Sequence, residues 1–600
     1  MSNLTTGTYR APLDDIQYSL QAYGSIGSLR QFPRFETATQ DIVDAVLTEG
    51  ARFAERVFAP LDRVGDLHGC TIAEADVTTP PGFREAYRSF VEQGWQGVPF
   101  DPDHGGQGLP WTVAAALQEM LYAANMALSL CPLLTQGAID LLEAHGSSAQ
   151  KRRYLGRLVS GQWSGSMNLT EPQAGSDVGA LATRAFRDGD GWRIVGQKIF
   201  ITFGEHDLTE NIVHLVLART PDAPPGTKGI SLFIVPKFVV DPEGRPGARN
   251  DLRCLSLERK LGIHGSPTCA MSYGDNGGAA AELVGEVNQG MALMFTMMNN
   301  ARLAVAIQGL ACGERAWQTA RAYAGERRQG RIARTPAGKS AVIANHPDVQ
   351  RMLMTMRALM EGMRALVYAT AAATDRARQM EPGQQRDRWQ ARADLLTPIA
   401  KAWCTDRGCE IADLGIQVHG GMGYIEESGA AQIYRDARIT PIYEGTNGIQ
   451  AIDLLGRKLL RDQGAAVFAL CNEFREAVRG SGNKSVVIPL QASTLAALDR
   501  LDRCSRHLID AASKNPNNAL SVATPYLRLL GNSIAAALLV QGVSMASQRA
   551  GMENDAARRN AIVAFFCASI LPETAMLEAQ ILANDALGAT AAIGLELTEP

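Results

Sequence analysis

The stretch MNLTEPQAGSD, residues 167–177, decides how the chain is read, because chain of different texture lies on its two sides. It offers a threonine hydroxyl, an acid, a proline turn and a Gly-Ser-Asp loop. Such a loop can present backbone N–H groups and the Ser176 hydroxyl to a phosphate or an electron-rich ring edge. Taken alone, the same residues read more readily as a capped turn.

Before it, apolar residues recur at helical spacing. The stretch 36–63 carries Ile42, Val43, Val46, Leu47, Phe53 and Val57 with Pro60 near its end, after a non-periodic opening. Helices are also expected over 83–93, 113–127, 137–144 and 149–159, and the Gly- and Pro-rich run 98–110 reads as irregular chain. From Trp163 the texture turns strand-like: WRIVGQKIFIT entered through DGDG, then IVHLVLA, GISLFIVP and TCAMSYG, separated by Gly, Pro and Asp. Helical periodicity returns at Met291 and continues over 303–324, 346–376, 389–414 and 449–460. An Ala- and Leu-rich block follows, with a loop around 480–489 and helices expected over 494–512, 525–549 and 556–587.

The fold class expected is mostly α with a central β domain. The divisions are a 1–35 extension, a 36–161 helical domain, a 162–285 β domain, a 286–464 helical bundle and a 465–600 additional helical domain. Six hundred residues exceed what one core usually organises. A composition of 46% hydrophobic and 20% charged residues is that of a globular protein, and a net charge of −4 provides no field for nucleic acid. Acidic and basic residues roughly cancel in the last block too.

The ten cysteines are scattered; the closest pair, Cys404 and Cys409, lacks the spacing of a zinc or redox site, so no metal is expected. The N-terminus has no basic region followed by an apolar stretch, and the longest apolar runs, such as 561–571, read as too short to span a bilayer. A cytoplasmic protein without stable membrane insertion is expected.

Two more segments carry chemistry. KIFITFG, residues 198–204, reads as a strand whose alternation puts Phe200 and Thr202 on one face, although threonine is commonly just a strand former. In PIYEGTNGIQ, residues 441–450, Glu444 stands beside Gly445 and Thr446 before an amphipathic stretch, where a carboxylate is usually just a complement to the helix dipole. QVHGGMGY, residues 417–424, has closely spaced glycines that let backbone approach a ligand or make an ordinary turn. Arg302 and Arg327 are candidate phosphate partners among arginines that are more often solvated.

In fixed order, LTEPQAGSD, KIFIT, LGIHGSPTC, ERRQGR, QVHGGMGY and YEGTNGIQ resemble the acyl-CoA dehydrogenases over about residues 36–460. The resemblance implies a helical domain, a β-barrel-like domain and a four-helix-bundle domain, with FAD in a crevice between the last two. Glu444 is then the base that removes the α-proton of a CoA thioester, a proton too weakly acidic for a solvated carboxylate to take quickly. Desolvation raises the basicity of the carboxylate, and hydrogen bonds on the thioester oxygen stabilise the enolate. The β-hydride passes to FAD N5, giving the trans-2-enoyl-CoA.

By the same resemblance, Met167, Leu169 and Thr170 line the flavin, Thr202 donates toward N5, and Phe200 packs nearby. Ser176 contacts FAD or substrate phosphates, and Thr446 lies beside the phosphates. Arg327, Gln417, Gly420 and Gly421 reach the FAD of a neighbouring protomer. Arg302, Tyr443 and Gly445 belong to the thioester side. The family often has tryptophan where this chain has Phe200 and asparagine where it has Phe203. Some members place their base at the position of Ala301, which has no carboxylate here.

The long C-terminal block resembles a larger bacterial subgroup that includes 3-methylmercaptopropionyl-CoA dehydrogenases and broad-range fatty acyl-CoA dehydrogenases, typically homodimers. An electron-transfer flavoprotein is the implied acceptor, and 3-methylmercaptopropionyl-CoA or short- to medium-chain acyl-CoAs the implied substrates. Alternatives are an acyl-CoA oxidase, disfavoured by a C-terminal LELTEP without a peroxisomal address, and a non-enzymatic DNA-associated flavoprotein homologue.

Overall fold

The computed structural model describes residues 9–333, 339–481, 488–546 and 553–584. The start of the N-terminal extension, most of the 480–489 loop, the expected helix ends at 549 and 587, and the LELTEP terminus lie outside them. The chain divides into two compact units, residues 45–304 and residues 1–44 with 305–600.

In the 45–304 unit, helices Phe83–Glu92, Trp111–Ala124, Met126–His145 and Ser148–Val159 form where apolar spacing predicts them. Two differences have local causes. The helix expected from 137 already starts at Met126, because the Asn125 side chain accepts from Leu128 N and caps it there, while Pro132 is carried inside. Helix 40–68 runs on past Pro60, which occupies the first turn of Ala59–His68 after a π-turn at Ala54–Phe58.

The strands of this unit are β1 Thr71–Ala73, β2 Asp76–Thr78, β3 Trp163–Asn168, β4 Arg184–Asp188, β5 Gly191–Thr202, β6 Asn211–Ala218, β7 Ser231–Pro236, β8 Phe238–Val240, β9 Pro246–Arg249, β10 Leu252–Leu257, β11 Thr268–Tyr273 and β12 Ala279–Val284. The main sheet has the order β10-β11-β5-β12-β7-β6-β3, with β4 paired to β5. Only β3 and β6 pair in parallel among these ladders. β6 and β7 are buried along their whole length, which is why they read as continuous apolar runs. Trp192, Ile194, Phe233, Cys269, Met271 and Tyr273 fill the core beside the sheet. The β1–β2 hairpin interrupts a region expected to be helical; three-residue strands are too short for alternation to show.

The other unit is built on long helices, Pro347–Gln379 and Gln384–His419, which pack against each other. Helix Gly290–Glu326 leads toward them in sequence. The C-terminal block comprises Ala465–Arg479, Ile488–Lys514, Ala523–Ala546, Glu553–Phe565 and Glu573–Leu582. The single helix expected over 556–587 is two, separated at Pro572. Length has to be corrected as well: two stretches, Ala523–Met545 and Asp555–Leu582, the second containing 561–571, are long and apolar enough to cross a bilayer, and 89% and 44% of their most apolar windows are buried within the protein. The opening expected to be irregular contains helix Leu13–Ala22, whose buried Asp15 pairs with Arg357 and Arg559. Its buried Ile16 and Leu20 stand one turn apart, a stripe spanning too few residues to show as helical periodicity.

Candidate active site

In the 45–304 unit the site residues gather where β3 ends beside β5. Ile199 N donates to Thr170 O at 3.0 Å, so Leu169 and Thr170 run next to the strand that carries Phe200 and Thr202. β5 does not alternate to its end. Lys198 pairs with Met271 and Ile201 with Cys269, leaving Ile199 and Phe200 opposite the single residue Ala270. The bulge turns both Lys198 and Ile201 inward and leaves Phe200 58% exposed at φ +59°. Phe200 and Thr202 thus share the outward side, as expected, through a bulge instead of an unbroken alternation. A left-handed phenylalanine costs about 1–3 kcal/mol and persists only where its surroundings fix it. Phe203, at φ +48°, is buried.

What fixes this corner is a buried ion pair that the sequence did not single out. Lys198 Nζ donates to Leu169 O at 2.9 Å and to Glu171 Oε1 at 2.7 Å, and the two side chains are 0% and 3% exposed. Glu171 also accepts from Thr183 N and Oγ1, Ala182 N and Gln173 Nε2. Burial raises its pKa, yet the charge of Lys198 and these hydrogen bonds outweigh burial and hold the carboxyl at about 2. Burial brings Lys198 down to about 8.

The sign of the linkage follows. A carboxyl at about 2 when folded and at its ordinary 4.5 when unfolded stabilises the fold fully above pH 4.5, and the contribution is lost as pH falls through 2. Acid titration of the urea midpoint is expected to fall across that window, and less steeply in Thr183→Val, which deletes one of the bonds. Equal slopes would remove Glu171 as the cause.

Elsewhere in this unit, Met167 is half-buried on β3, Leu169 is buried, Thr170 is half-buried and Ser176 is exposed in the loop closed by Asp177, whose carboxylate accepts from Gly179 N. Arg302 is buried on helix Gly290–Glu326, where Nη1 meets Asn299 Oδ1 at 3.4 Å and the guanidinium lies 5.8 Å from the Phe295 ring.

In the other unit, Glu444 sits in the turn before helix Asn447–Asp453, half-buried, at φ +57°. Here too a non-glycine residue is held left-handed, and Gly445 follows at φ +84°. The turn is clamped from several directions. Lys401, fully buried on helix Gln384–His419, donates to Gly445 O at 2.8 Å and Asn447 Oδ1 at 2.9 Å. Gln450 Nε2 donates to the carbonyls of Glu444 and Gly445 at 3.3 and 3.2 Å. Asn447 Nδ2 reaches Ala402 O, Thr405 Oγ1 and Asp406 Oδ1. Thr446 caps the helix by accepting from Ile449 N, and Tyr443 donates its hydroxyl to Gln308.

Arg327, Gln417, Gly420 and Gly421 form a separate group of exposed residues. Tyr323 stacks on His419 at 4.6 Å, which brings the ends of their two helices together, with Arg327 one turn after Tyr323 and Gly420 terminating the second helix at φ +60°. From Lys401, beside the Glu444 turn, to Gln417 the same helix advances 16 residues, roughly 24 Å.

The helical N-terminal part, the central sheet with its bulged strand β5 and the helical part with a left-handed glutamate before a capped helix are each matched by a family model. Models of the acyl-CoA dehydrogenase N-terminal domain match residues 45–162, of its middle domain 166–275 and of its C-terminal domain 288–460, and an acetyl-CoA dehydrogenase C-terminal-like model matches 470–590. The chain belongs to the acyl-CoA dehydrogenase family, FAD-dependent oxidoreductases that act on the CH–CH bond of acyl-CoA thioesters.

Among particular relatives, it is 47% identical to the 3-methylmercaptopropionyl-CoA dehydrogenase of Ruegeria pomeroyi, over 88% of this chain and 89% of that one. It is 33% identical to the broad-specificity linear acyl-CoA dehydrogenase FadE5 of Mycobacterium tuberculosis, over 94% and 96%. A Bacillus anthracis acyl-CoA dehydrogenase solved with FAD shares the fold at a TM-score of 0.75 and 20% identity, over 95% and 94%. The residues of this chain fit a flavin: a large aromatic side chain left 58% exposed at Phe200, with half-buried Thr202 two residues on, is a surface suited to a planar ring.

Proposed function

We infer that Glu444 is the base that removes the α-proton of the bound thioester. The observation that carries this is the Glu444 turn itself: a non-glycine residue kept at φ +57° by Lys401 and Gln450, so that the carboxylate arises from backbone locked in one conformation. A fixed, half-buried carboxylate loses less freedom at the moment of proton transfer than a mobile one, and displacement of water by the acyl chain strengthens it as a base. Leu169, Thr170, Phe200 and Thr202 are the residues that would hold the flavin ring, with Met167 behind them on β3 and Ser176 and Thr446 toward phosphates. Bound FAD supplies the acceptor for the β-hydrogen and its electron pair. Arg302, Tyr443 and Gly445 are assigned to the thioester side.

The preferred substrate is assigned as a short acyl-CoA, 3-methylmercaptopropionyl-CoA or a short- to medium-chain linear thioester; the similarity to the Ruegeria pomeroyi enzyme supports the first. Flavin bleaching with a panel of acyl-CoAs tests this. kcat/KM for these thioesters should exceed that for long-chain ones by about tenfold or more, since each methylene misfit in an apolar pocket is worth roughly 1–3 kcal/mol. A maximum at long chains would contradict the assignment.

The working unit is assigned as a homodimer, with Arg327, Gln417, Gly420 and Gly421 serving the partner's FAD; their distance along the helix from the Glu444 turn supports this. Electrons pass on to an electron-transfer flavoprotein, and ten free cysteines suit a reducing cytoplasm.

A further inference from the structure

We propose that the C-terminal helical block is a positioning element for the Glu444 turn, acting through residues 401–407 of helix Gln384–His419. The idea rests on the reading of Glu444 as the base and assigns the block a task in the same reaction.

Side chains two apart on a helix point about 200° apart, and those four apart about 40°. Lys401 and Thr405 therefore share one face, and Trp403 and Arg407 the opposite one. The first face is bound to the turn: Lys401 holds Gly445 O and Asn447 Oδ1, and Thr405 meets Asn447. The second is bound to the C-terminal block. Trp403 Nε1 and Arg407 Nη2 both donate to Asn532 Oδ1 at 2.9 Å, and Asn532 Nδ2 donates to Glu573 Oε2, also at 2.9 Å. Arg407 pairs with Glu573 as well. Trp403, Arg407 and Asn532 are 1%, 2% and 0% exposed.

The fit leaves no slack. A methyl group at Gly531 would sit 2.3 Å from Trp403 Cδ1, so glycine is what lets helix Ala523–Ala546 approach the indole. The same helix packs directly against Asn447–Asp453, the helix that begins three residues after Glu444. Two turns of helix are thus gripped by the block on one side and grip the turn on the other. A shift of the block moves Lys401 and, with it, the carbonyl next to Glu444.

Asn532→Leu removes the acceptor shared by Trp403 and Arg407. In the full-length holoenzyme, kcat should fall about ten- to hundredfold, as expected for sub-ångström misplacement of a catalytic group. KM and flavin content should stay as in the parent, the kcat–pH profile should shift, and residues 441–447 should exchange amide hydrogen faster. If Asn532→Leu does not fold, Gly531→Ala makes the same test by pushing the helix off Trp403. A folded variant with unchanged kcat, pH profile and exchange overturns the proposal, as does one whose KM and flavin content change together with kcat. Glu444→Gln run alongside separates the two ideas. If it dehydrogenates normally, the base assignment fails regardless of Asn532; if it is inactive while the Asn532 variant is normal, only the positioning role fails.

Discussion

Glu444→Gln is expected to keep its FAD and bind acyl-CoA while dehydrogenation falls by roughly 10²–10⁴-fold, the usual contribution of a positioned general base. The amide has nearly the shape of the carboxylate, and the bonds that clamp the turn go to backbone carbonyls and to Asn447, none of which the substitution removes. The loss should therefore lie in kcat, with KM little changed. Anaerobic mixing with acyl-CoA measures it directly as the rate of flavin bleaching. Bleaching at the parent rate would take Glu444 out of the mechanism.

Lys198→Met has the second large expected effect, and it falls on stability and flavin retention together. Removing one member of a fully buried ion pair leaves Glu171 charged without its cation and costs about 3–5 kcal/mol. It also frees Leu169 O, the backbone next to the residue assigned to the flavin. The urea midpoint should drop and the purified protein should carry less FAD. The charge-neutral double variant Glu171→Gln/Lys198→Met should recover much of the midpoint, because it leaves no unpaired charge, but not the tethering of the Leu169 carbonyl, so flavin retention stays low. Recovery of both, or loss of neither in the single variant, would show the pair to be unrelated to the flavin seat.

These residues also mark where the sequence could be read and where it could not. The order of the motifs points to the family, and helical and strand periodicity locate the long helices, the half-buried strand β5 and the buried strands β6, β7 and β11. The left-handed conformations of Phe200, Phe203 and Glu444 were not legible, since phenylalanine and glutamate ordinarily avoid that region and nothing in KIFITFG or YEGTNG shows which residues of the bulge or turn adopt it. Lys198 and Lys401 were hidden for another reason. Their partners Glu171 and Gly445 lie 27 and 44 residues away, and a lone lysine in an amphipathic pattern reads as solvated surface. Helix Leu13–Ala22 is too short for its buried Ile16 and Leu20 to show as a periodic stripe, whereas helix Ala465–Arg479, which buries Val467, Leu470, Cys471, Phe474 and Val478, carries a helical spacing that was legible.

The most direct test of the account is the fate of the substrate's α-hydrogen, independent of any electron acceptor. Incubated in D2O with a 3-thia-acyl-CoA, which binds but cannot be oxidised at the β-position, the parent enzyme should exchange the α-hydrogens for deuterium, and Glu444→Gln should lose that exchange while still binding the analogue. Undiminished exchange by Glu444→Gln would mean that another group takes the proton.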